Sequence, residues 1–363
     1  MKTIYFTVTN ELVYDQRMIR ICTTLAHENY NVVLVGRRYK GAAALQAHPF
    51  RQVRLFCRFT RGKLFYIEFN ARLLLYLLSR KMDGICAIDL DTILPCWLVS
   101  RIKRIPRIYD AHELFCEMKE IRTRPFTYRL WKKVEAFAIP RFTSGYTVNE
   151  RIADAFKRMY GVHYSVIRNI AALQKPDQQP VKTGTFLLYQ GAVNEGRSFE
   201  TLIPAMQYVD APLMICGDGN FMPQATALAE QYGVKDKVVF RGKVTPDALK
   251  KITPLATIGI TLFDRESMSN YYSLANRFFD YMHAGVPQLC ADYPAYREIN
   301  DRFEVGLLIT DLSAENIARH INILLTDAVL YEKIRQNCLA AKLVYNWQNE
   351  EKKLVDFYRT LFQ

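Results

Sequence analysis

The sequence lacks several features that would assign it to a class of protein at once. It has no run of about 18 apolar residues, so no membrane-spanning helix is predicted. No basic stretch with a long apolar segment precedes the first strand-like run at residues 3–8, so we expect a cytoplasmic protein without a secretory signal. The eight cysteines lie singly, without a C-x-x-C pair. We interpret them as reduced core residues and expect neither a disulfide framework nor a zinc site.

Acidic residues are scarce in the first half of the chain. Residues 1–165 hold 28 Lys and Arg against 14 Asp and Glu, a balance of +14. Residues 166–363 hold 21 and 22, a balance of −1. The net charge of +13 therefore comes from the first half alone.

Basic and large apolar side chains are interleaved within residues 51–81. The basic members are Arg51, Arg54, Arg58, Arg61, Lys63, Arg72, Arg80 and Lys81. A surface of this kind suits an anionic membrane face or a phosphate-bearing lipid acceptor. The alternative is a core helix at residues 64–78 whose flanking charges are solvated. No zinc-finger spacing or RNP-like segment indicates nucleic acid, so we expect no nucleic-acid partner.

Strand-like runs alternate with helical periodicity in both halves, which predicts an α/β protein with parallel sheets covered by helices. A length of 363 residues suits two domains. The polar, Pro-rich segment at residues 171–180 has the composition of a linker, so we place the boundary near residues 169–182. Two doubly wound units are therefore predicted. An amphipathic helix is predicted at residues 347–362.

Polar residues follow the predicted strands of the first half, where sheets of this class bind their ligands. They are Asn10, Glu11, Asp15 and Arg17 after the first strand, Asp89 and Asp91 after the strand at 84–88, and Asp110, His112 and Glu113 after the strand at 107–109. The Asp89-Leu90-Asp91 segment has the D-x-D spacing of a manganese site, although two alternating aspartates also recur at strand ends by chance. His112 lies between two acidic residues, which favours a functional role over a structural one.

Residues 273–287 begin with a serine and end with Gly-Val-Pro, which is typical of a helix. A helix N-terminus offers unpaired N–H groups and the positive end of the macrodipole, so Tyr272, Ser273 and Leu274 are predicted to hold a diphosphate. Asp280 follows about two turns later on the same face, where its carboxylate can accept both hydroxyls of a ribose. A capped core helix ending at Gly285 would have the same pattern.

Two glycine-bearing turns follow strands in the same half. Gly191 follows the strand-like run at 187–190, and Gly217 opens a Gly-Asp-Gly turn after the run at 213–216. We predict that both glycines lie on the donor side, and the second turn predicts a close backbone approach to a nucleotide. A tight turn without a ligand is the alternative.

These segments resemble the donor domain of GT-B glycosyltransferases and, within that fold, glycosyltransferase family 4, the group 1 glycosyltransferases. The motifs in chain order are YDAHELF at 109–115, LLYQGAVNEGR at 187–197, LMICGDGNF at 213–221, VVFRGKV at 238–244, the segment at 273–287 and the Asn346-Trp347 pair. The resemblance implies two Rossmann-like domains facing across a cleft, with the C-terminal helix crossing back to the first domain. It implies an acceptor-binding domain at 1–168 plus 346–363 and a donor-binding domain at 169–345.

The resemblance also implies roles for single residues. His112 matches a histidine that contacts the transferred sugar in many family members. Arg197 stands at the position of a family lysine, whereas Ala192 replaces the arginine that usually follows the glycine. Asp280 replaces the second glutamate of the family's Glu-x7-Glu pair, and Tyr272 stands in place of the first.

A departing diphosphate needs positive charge, which an arginine fork supplies with bidentate geometry. We predict Arg197 and Arg277 as these cations, with Asn276 beside Arg277 on the donor side. Together with His112 they form the predicted catalytic set. Because basic residues and helix dipoles replace the metal in GT-B enzymes, we expect no metal and no cofactor. The residues predicted on the acceptor side are Asn10, Asp15, Arg17 and Glu113.

The resemblance implies a retaining glycosyltransferase that moves a sugar from a nucleoside diphosphate sugar to a lipid-linked or glycan acceptor in surface polysaccharide or glycan assembly. We expect it to lie peripherally on the inner face of the membrane. Two alternatives stay open. Ala192 and Tyr272 also fit a catalytically degenerate GT-B subunit that binds nucleotide or membrane, and a GT-B sugar-nucleotide epimerase is the alternative among enzymes.

Overall fold

The computed structural model describes residues 1–38, 40–42, 44–173 and 184–363. The chain divides into two compact units, with residues 1–169 and 350–363 in unit 1 and residues 170–349 in unit 2. The predicted borders were 168/169 and 345/346. Residues 174–180 of the predicted linker, and residues 181 and 182 of the predicted boundary region, lie outside the described residues.

A parallel sheet forms the centre of unit 1. Its strands are β1 Thr3–Thr7, β2 Asn31–Arg38, β3 Arg51–Phe56, β4 Gly84–Ile88, β5 Arg107–Ala111, β6 Ser144–Thr147 and β7 Ser165–Val166. They are arranged in the order β3-β2-β1-β4-β5-β6-β7, and every neighbouring pair is parallel. The order reverses between β1 and β4, so their carboxyl ends flank a topological switch point, where such sheets bind ligands.

Helices connect these strands, and capping residues mark several of their ends. The helices of this unit are α1 Gln16–His27, α2 Gly62–Leu78, α3 Ile93–Lys103, α4 Lys119–Arg122, α5 Pro125–Ala138 and α6 Glu150–Tyr160. The Asn149 side chain accepts the N–H of Ile152 at the start of α6. Gly161 ends that helix at a φ of 68°, which glycine adopts without strain.

Unit 2 repeats the same theme with a second parallel sheet. Its strands are β8 Leu187–Gln190, β9 Leu213–Cys216, β10 Val238–Gly242, β11 Ile258–Thr261, β12 Gln288–Ala291 and β13 Gly306–Ile309. The order is β10-β9-β8-β11-β12-β13, which is the doubly wound order with its switch point between β8 and β11. The predicted α/β class with two doubly wound sheets is therefore confirmed.

The helices of unit 2 cover its sheet. They are α7 Phe199–Ala205, α8 Met222–Gln231, α9 Pro246–Ile252, α10 Met268–Tyr272, α11 Asn276–Ala284, α12 Pro294–Phe303, α13 Ala314–Thr326 and α14 Ala328–Val344. The central strand β8 is buried along its whole length, as expected for a parallel sheet covered on both faces.

The helix α15 Trp347–Phe362 begins in unit 2, and from Glu350 onward it belongs to unit 1. Its Tyr358 is fully buried, and the Tyr358 hydroxyl lies 3.2 Å from that of Tyr146. Phe362 fills the space beside Gly84, because a Cβ there would lie 2.5 Å from its ring. This helix therefore supplies part of the core of unit 1.

The eight cysteines are buried free thiols, as predicted. Burial raises the pKa of Cys96 to about 12, so this thiol stays protonated. Among the described residues, no helix is long and apolar enough to cross a membrane.

Candidate active site

His112 lies directly after β5, between two carboxylates of unit 1. Its Nδ1 is 3.4 Å from Oδ2 of Asp89, and its Nε2 is 3.3 Å from Oδ2 of Asp110. Its backbone N–H donates to Oδ1 of Asp89 at 2.9 Å. Burial by itself lowers the pKa of His112, but the two carboxylates raise it to about 9. The imidazole is therefore a cation at neutral pH, able to donate hydrogen bonds but not to accept a proton.

Asp89 holds this histidine from an unusual backbone conformation. Its φ is 53° and its ψ is −178°. A residue other than glycine pays about 1–3 kcal/mol for such a conformation, which is found most often at functional sites. Burial raises the pKa of Asp89 to about 7, with Glu113 and Asp91 acting in the same direction and the His112 cation opposing them.

The two aspartates of the D-x-D segment have different partners. Asp89 faces His112, whereas the Asp91 carboxylate accepts a hydrogen bond from the Thr9 hydroxyl. Burial raises the pKa of Asp91 to about 6. Within the described part of the chain, no group of three or more His, Cys, Asp or Glu side chains could hold a metal ion. Metal independence stays a prediction.

The structure corrects the acceptor-side prediction for Arg17, which is buried inside unit 1. Arg17 and Asp110 are 2% and 0% exposed. The Arg17 Nε and Nη2 donate to the two Asp110 carboxylate oxygens at 3.2 and 2.8 Å, and Nη1 donates to the Ile167 carbonyl at 2.9 Å. The guanidinium therefore holds Asp110 in place beside His112 and presents no face to an acceptor.

The other residues predicted on the acceptor side lie near the same ends of the strands. The Asn10 side chain donates to Oδ2 of Asp15 at 3.0 Å, and Oδ1 of Asp15 accepts the N–H of Met18 at 3.1 Å. The second hydrogen bond makes Asp15 the N-cap of α1, so its side chain stabilises the start of this helix. Glu113 is half-buried beside the His112 cluster. The acceptor roles of Asn10, Asp15 and Glu113 stay predictions.

In unit 2, the turns after β8 and β9 pack against each other. The N–H of Gly191 donates to the Cys216 carbonyl at 3.0 Å, and that of Val193 to the Asp218 carbonyl at 3.0 Å. A Cβ on Gly217 would lie 1.7 Å from the Gly191 carbonyl oxygen. The absence of a side chain at Gly217 therefore allows the close approach of the β8 turn, and the contact of Gly217 with a nucleotide stays a prediction.

Arg197 and Arg277 lie against the same aromatic ring. Their guanidinium carbons are 4.6 and 4.7 Å from the centroid of Phe263, two residues after β11. Stacking of this kind orients a guanidinium while it keeps its charge. The two predicted cations are therefore brought together at the carboxyl ends of β8 and β11.

The two arginines differ in burial and partners. Arg277 is 7% exposed, its Nη1 donates to the Gln190 carbonyl at 2.9 Å, and its Nε has no hydrogen-bond partner among the described residues. Its Nη1 would lie 2.9 Å from a Cβ on Gly191. Arg197 is half-buried, and its Nη1 donates to Oδ1 of Asn270 at 2.8 Å. Arg197 is thus the more accessible of the two arginines, whereas Arg277 lies beneath the Gly191 turn, and their contact with a diphosphate stays a prediction.

Asp280 lies on α11 next to the end of β8. Its Oδ2 accepts a hydrogen bond from Nε2 of Gln190 at 2.8 Å. The Thr253 hydroxyl is 2.8 Å from Oε1 of the same glutamine, which is 4% exposed. The carboxylate predicted to bind ribose is therefore held by the residue whose carbonyl holds Arg277.

The helix predicted to start at Ser273 is interrupted. Tyr272 ends α10, Ser273 donates its N–H to the Asn270 carbonyl at 3.1 Å, and α11 starts only at Asn276. The Ser273 N–H is thus used to close the preceding helix. The first turn of α11 begins with Asn276 and Arg277, so the helix starts three residues later than predicted. Leu274, which is buried, lies in the connection between α10 and α11.

Sequence reasoning missed three residues of this site, namely Gln190, Phe263 and Asn270. Gln190 offered a signal, since a polar residue ends an otherwise apolar run. Asn270 joins Arg197 to Oδ1 of Asp264 and to the Gly196 carbonyl at 3.2 and 3.3 Å. Phe263 and Asn270 have no pattern that marks them before their neighbours are known.

Two family profiles match the chain in succession. The profile described as Glycosyltransferase Family 4 matches residues 16–174, and the profile described as Glycosyl transferases group 1 matches residues 172–339. The chain is a glycosyltransferase of this group 1 and family 4 type. The predicted family and the prediction of an enzyme are confirmed.

Curated relatives of this glycosyltransferase match about half of the chain. An uncharacterized glycosyltransferase of Methanocaldococcus jannaschii is 29% identical over 180 residues, which are 48% of this chain and 44% of the relative. A GDP-mannose-dependent alpha-(1-6)-phosphatidylinositol monomannoside mannosyltransferase of Mycobacterium tuberculosis is 27% identical over 169 residues, 44% of this chain and 43% of the relative. Each match therefore spans less than half of the relative's own length.

Solved glycosyltransferase structures match the whole chain at low identity. Sucrose-phosphate synthase from Thermosynechococcus elongatus has a TM-score of 0.79 and 16% identity, covering 100% of this chain and 99% of its own. HepE from Anabaena, in complex with UDP-glucose, has a TM-score of 0.77 and 14% identity, covering 99% and 100%. WaaG, involved in lipopolysaccharide biosynthesis, has a TM-score of 0.72 and 14% identity, covering 97% and 98%. These likenesses confirm the GT-B fold.

Proposed function

We propose that this glycosyltransferase binds a nucleoside diphosphate sugar in unit 2 and transfers the sugar, with retention of configuration, to a lipid-linked or glycan acceptor in surface polysaccharide or glycan assembly. The observation that carries the proposal is the pair of arginines on Phe263, with Asp280 held nearby through Gln190. The UDP-glucose complex of HepE and the GDP-mannose dependence of the mycobacterial relative support a nucleotide sugar as the donor.

Each part of the donor has a proposed partner. The Asp280 carboxylate accepts hydrogen bonds from the ribose hydroxyls. The remaining N–H groups of Arg197 and the first turn of α11 at Asn276 bind the diphosphate. Arg277 lies beneath the Gly191 turn, and its buried charge adds to the positive potential at the diphosphate. Its hydrogen bond to the Gln190 carbonyl fixes the position of that turn.

Transfer requires no buried base in this proposal. The bond from the anomeric carbon to the diphosphate oxygen breaks while the acceptor oxygen bonds to the same carbon on the same face. The acceptor proton passes to the departing diphosphate, whose charge Arg197 stabilises. The His112 cation, whose two ring nitrogens face Asp89 and Asp110, orients the sugar through its positive charge.

The charge distribution supports a place at a membrane. We infer that the protein lies peripherally on the inner, cytoplasmic face of an anionic membrane, with the +14 balance of residues 1–165 toward the lipid. Nucleic acid is not proposed as a partner. The mycobacterial relative is named for a phosphatidylinositol monomannoside, and an acceptor of this lipid-linked class would be reached from the same surface.

The alternatives rest on two residues of the donor side. Ala192 and Tyr272 replace a cation and a glutamate expected from the family resemblance, which fits a degenerate subunit that binds a nucleotide without transfer. Slow hydrolysis of the donor without an acceptor separates the two functions, because a catalytic site leaks to water and a binding module does not. An epimerase would instead release the epimer of the sugar.

A thermal-shift screen of UDP, GDP and CMP with their sugars tests the donor directly. A ligand at one hundred times its dissociation constant stabilises the folded state by about 2.7 kcal/mol. We expect one nucleoside diphosphate to raise the Tm and its sugar to be hydrolysed slowly. The absence of any stabilising nucleotide would contradict the proposal.

A further inference from the structure

Helix α2 is apolar on two opposite faces. The buried face consists of Phe65, Phe69, Leu73 and Leu77, each at most 3% exposed. The opposite stripe consists of Leu64, Ile67, Leu75 and Leu78, which are 56%, 67%, 70% and 37% exposed. A helix on the surface of a globular protein ordinarily places polar residues on its outer face. A continuous aliphatic stripe in this position therefore indicates a binding surface.

Helix α5 extends this apolar surface. Its exposed large residues are Phe126, Leu130 and Phe137, at 68%, 48% and 37% exposure. The ammonium of Lys63, at the start of α2, lies 4.2 Å from the ring centroid of Phe126, and the rings of Tyr66 and Trp131 are 5.7 Å apart. The two helices are thus neighbours in unit 1. We call the seven exposed residues of both helices the α2–α5 face.

Exposed basic side chains lie on the same two helices or shortly before their N-termini. They are Arg58, Arg61, Lys63, Arg124, Arg129 and Lys133. The acidic residue of α2, Glu68, already has local partners that offset its negative charge. Its carboxylate accepts hydrogen bonds from the backbone N–H groups of Arg58 and Phe59 at 2.8 and 3.0 Å and forms an ion pair with Arg72 at 2.9 Å. An occupant of the face must therefore be apolar and anionic. A second copy of the chain would bring two surfaces of the same charge together.

We propose that the α2–α5 face docks on an anionic bilayer, with its aliphatic and aromatic side chains inserted at the boundary between headgroups and acyl chains. The lysine and arginine stems would lie along the apolar layer while their charges meet lipid phosphates. The inference specifies the surface and depth of the membrane association proposed above, and it does not depend on the identity of the donor.

The sequence pattern alone could not select these residues. Of the apolar members of residues 51–81, Phe65 and Phe69 belong to the core, whereas Leu64, Ile67 and Leu75 face outward. The α5 residues lie outside that segment and join it only through the fold. Insertion also differs from purely electrostatic adsorption. It requires specific apolar side chains, and the apolar part of the binding free energy remains when salt screens the charges.

A single fluorophore tests insertion. Because all eight native cysteines are buried, Ile67→Cys provides one exposed thiol for an environment-sensitive label, and Val329→Cys, at a unit 2 residue that is 82% exposed, is the matched control. With vesicles of phosphatidylglycerol and cardiolipin, we expect a blue shift and quenching by brominated acyl chains at position 67 and neither at position 329. Unchanged emission at position 67 would overturn the proposal.

Partition into the same vesicles tests the two contributions separately. Ile67→Ser and Leu75→Ser are each expected to lower the partition coefficient about tenfold, whereas Val329→Ser and Leu343→Ser leave it unchanged. Arg129→Glu with Lys133→Glu is expected to lower it about tenfold at low salt and less as salt rises. Equal losses in the unit 2 controls, or binding to neutral phosphatidylcholine vesicles as strong as to anionic ones, would contradict the proposal.

Two further measurements separate membrane docking from a general loss of function and from dimerisation. Nucleotide affinity in solution should be the same for Ile67→Ser as for the unchanged protein, so failure of the donor proposal and failure of the docking proposal are distinguishable. Sedimentation velocity without lipid should give the same species for both proteins. A dimer that dissociates on Ile67→Ser would assign the face to a second copy and overturn the membrane assignment.

Discussion

Gln190 donates a hydrogen bond from Nε2 to Oδ2 of Asp280 at 2.8 Å, which joins the end of β8 to α11. The same residue accepts from Nη1 of Arg277 through its carbonyl at 2.9 Å. One buried glutamine thus links the carboxylate proposed for the ribose to a cation proposed for the diphosphate. An uncharged donor is suited to this position, because it orients Asp280 without neutralising it.

Asp280→Asn is expected to weaken binding of the ribonucleoside diphosphate about tenfold or more, while binding of the 2′,3′-dideoxy analogue changes little. A hydrogen bond to a charged group is worth about 1.5–3 kcal/mol, and only the ribose hydroxyls distinguish the two ligands. Isothermal titration calorimetry of both ligands measures the difference. Gln190→Leu is the matched positioning variant and should show the same selective loss with a smaller magnitude. Equal losses for both ligands would make Asp280 a structural residue of α11.

Arg197→Ala and Arg277→Ala are both expected to weaken nucleoside diphosphate binding and to leave nucleoside binding nearly unchanged. They should differ in stability. Arg277 is buried under the Gly191 turn, so its loss should also lower the Tm, whereas half-buried Arg197 should lower affinity alone. Calorimetry with thermal melting of each variant checks this division.

Phe263→Leu removes the aromatic ring that both guanidinium groups contact, so it should weaken binding of the nucleoside diphosphate. Phe263→Tyr keeps an aromatic ring at this position and should bind the nucleoside diphosphate as the unchanged protein does. A nucleoside that loses as much affinity as its diphosphate would argue against both cations.

His112→Gln is expected to lower kcat strongly while the affinity for free nucleoside diphosphate is retained. Folding raises the pKa of His112 from 6.5 to about 9, so the stabilisation by its charge is fully present below pH 6.5 and is lost as the pH rises through about 9. We therefore expect its Cε1 proton to titrate near pH 9 by NMR, assigned by its absence in the variant. The rate should fall over the same alkaline range. A midpoint near 6.5 would contradict the proposed carboxylate clamp.

Arg17→Met is expected to destabilise the protein by about 3–5 kcal/mol, because it removes the bidentate partner of the buried Asp110 carboxylate and leaves only His112 to offset its charge. Denaturant unfolding monitored by circular dichroism measures this loss. The double variant Arg17→Met with Asp110→Leu should recover part of the stability, since both charges are then absent. A surface role for Arg17 at the acceptor would instead lower activity without a change in the midpoint of unfolding.

The sequence predicted the alternation of strands and helices well, because parallel strands buried on both faces read as apolar runs between amphipathic helices. It also predicted that Arg197, Arg277 and Asp280 lie at one edge of a sheet. The break between α10 and α11 could not be predicted, because it depends on the Ala275 N–H donating to the hydroxyl of Tyr296, 21 residues away. Local capping signals carry no information on such a distant partner.

Arg17 shows the second limit of prediction. A charged residue after a strand reads as a ligand contact, since isolated charges are rarely buried. Its partner Asp110 is 93 residues away in sequence, and only the tertiary fold reveals that the pair is internal. The same holds for Gly217, whose missing side chain accommodates the Gly191 carbonyl.

The passage of α15 into unit 1 sets the order in which the chain can fold during synthesis. Unit 2 is one continuous segment, but the core of unit 1 needs Tyr358 and Phe362, which leave the ribosome after all of unit 2. At roughly 5–20 residues per second, the first segment of unit 1 waits on the order of 10–40 s for its closing helix. Through that interval, its strand β4 has an open space beside Gly84. Unit 1 is therefore begun first and completed last, and its unfinished core stays exposed while unit 2 is being synthesised.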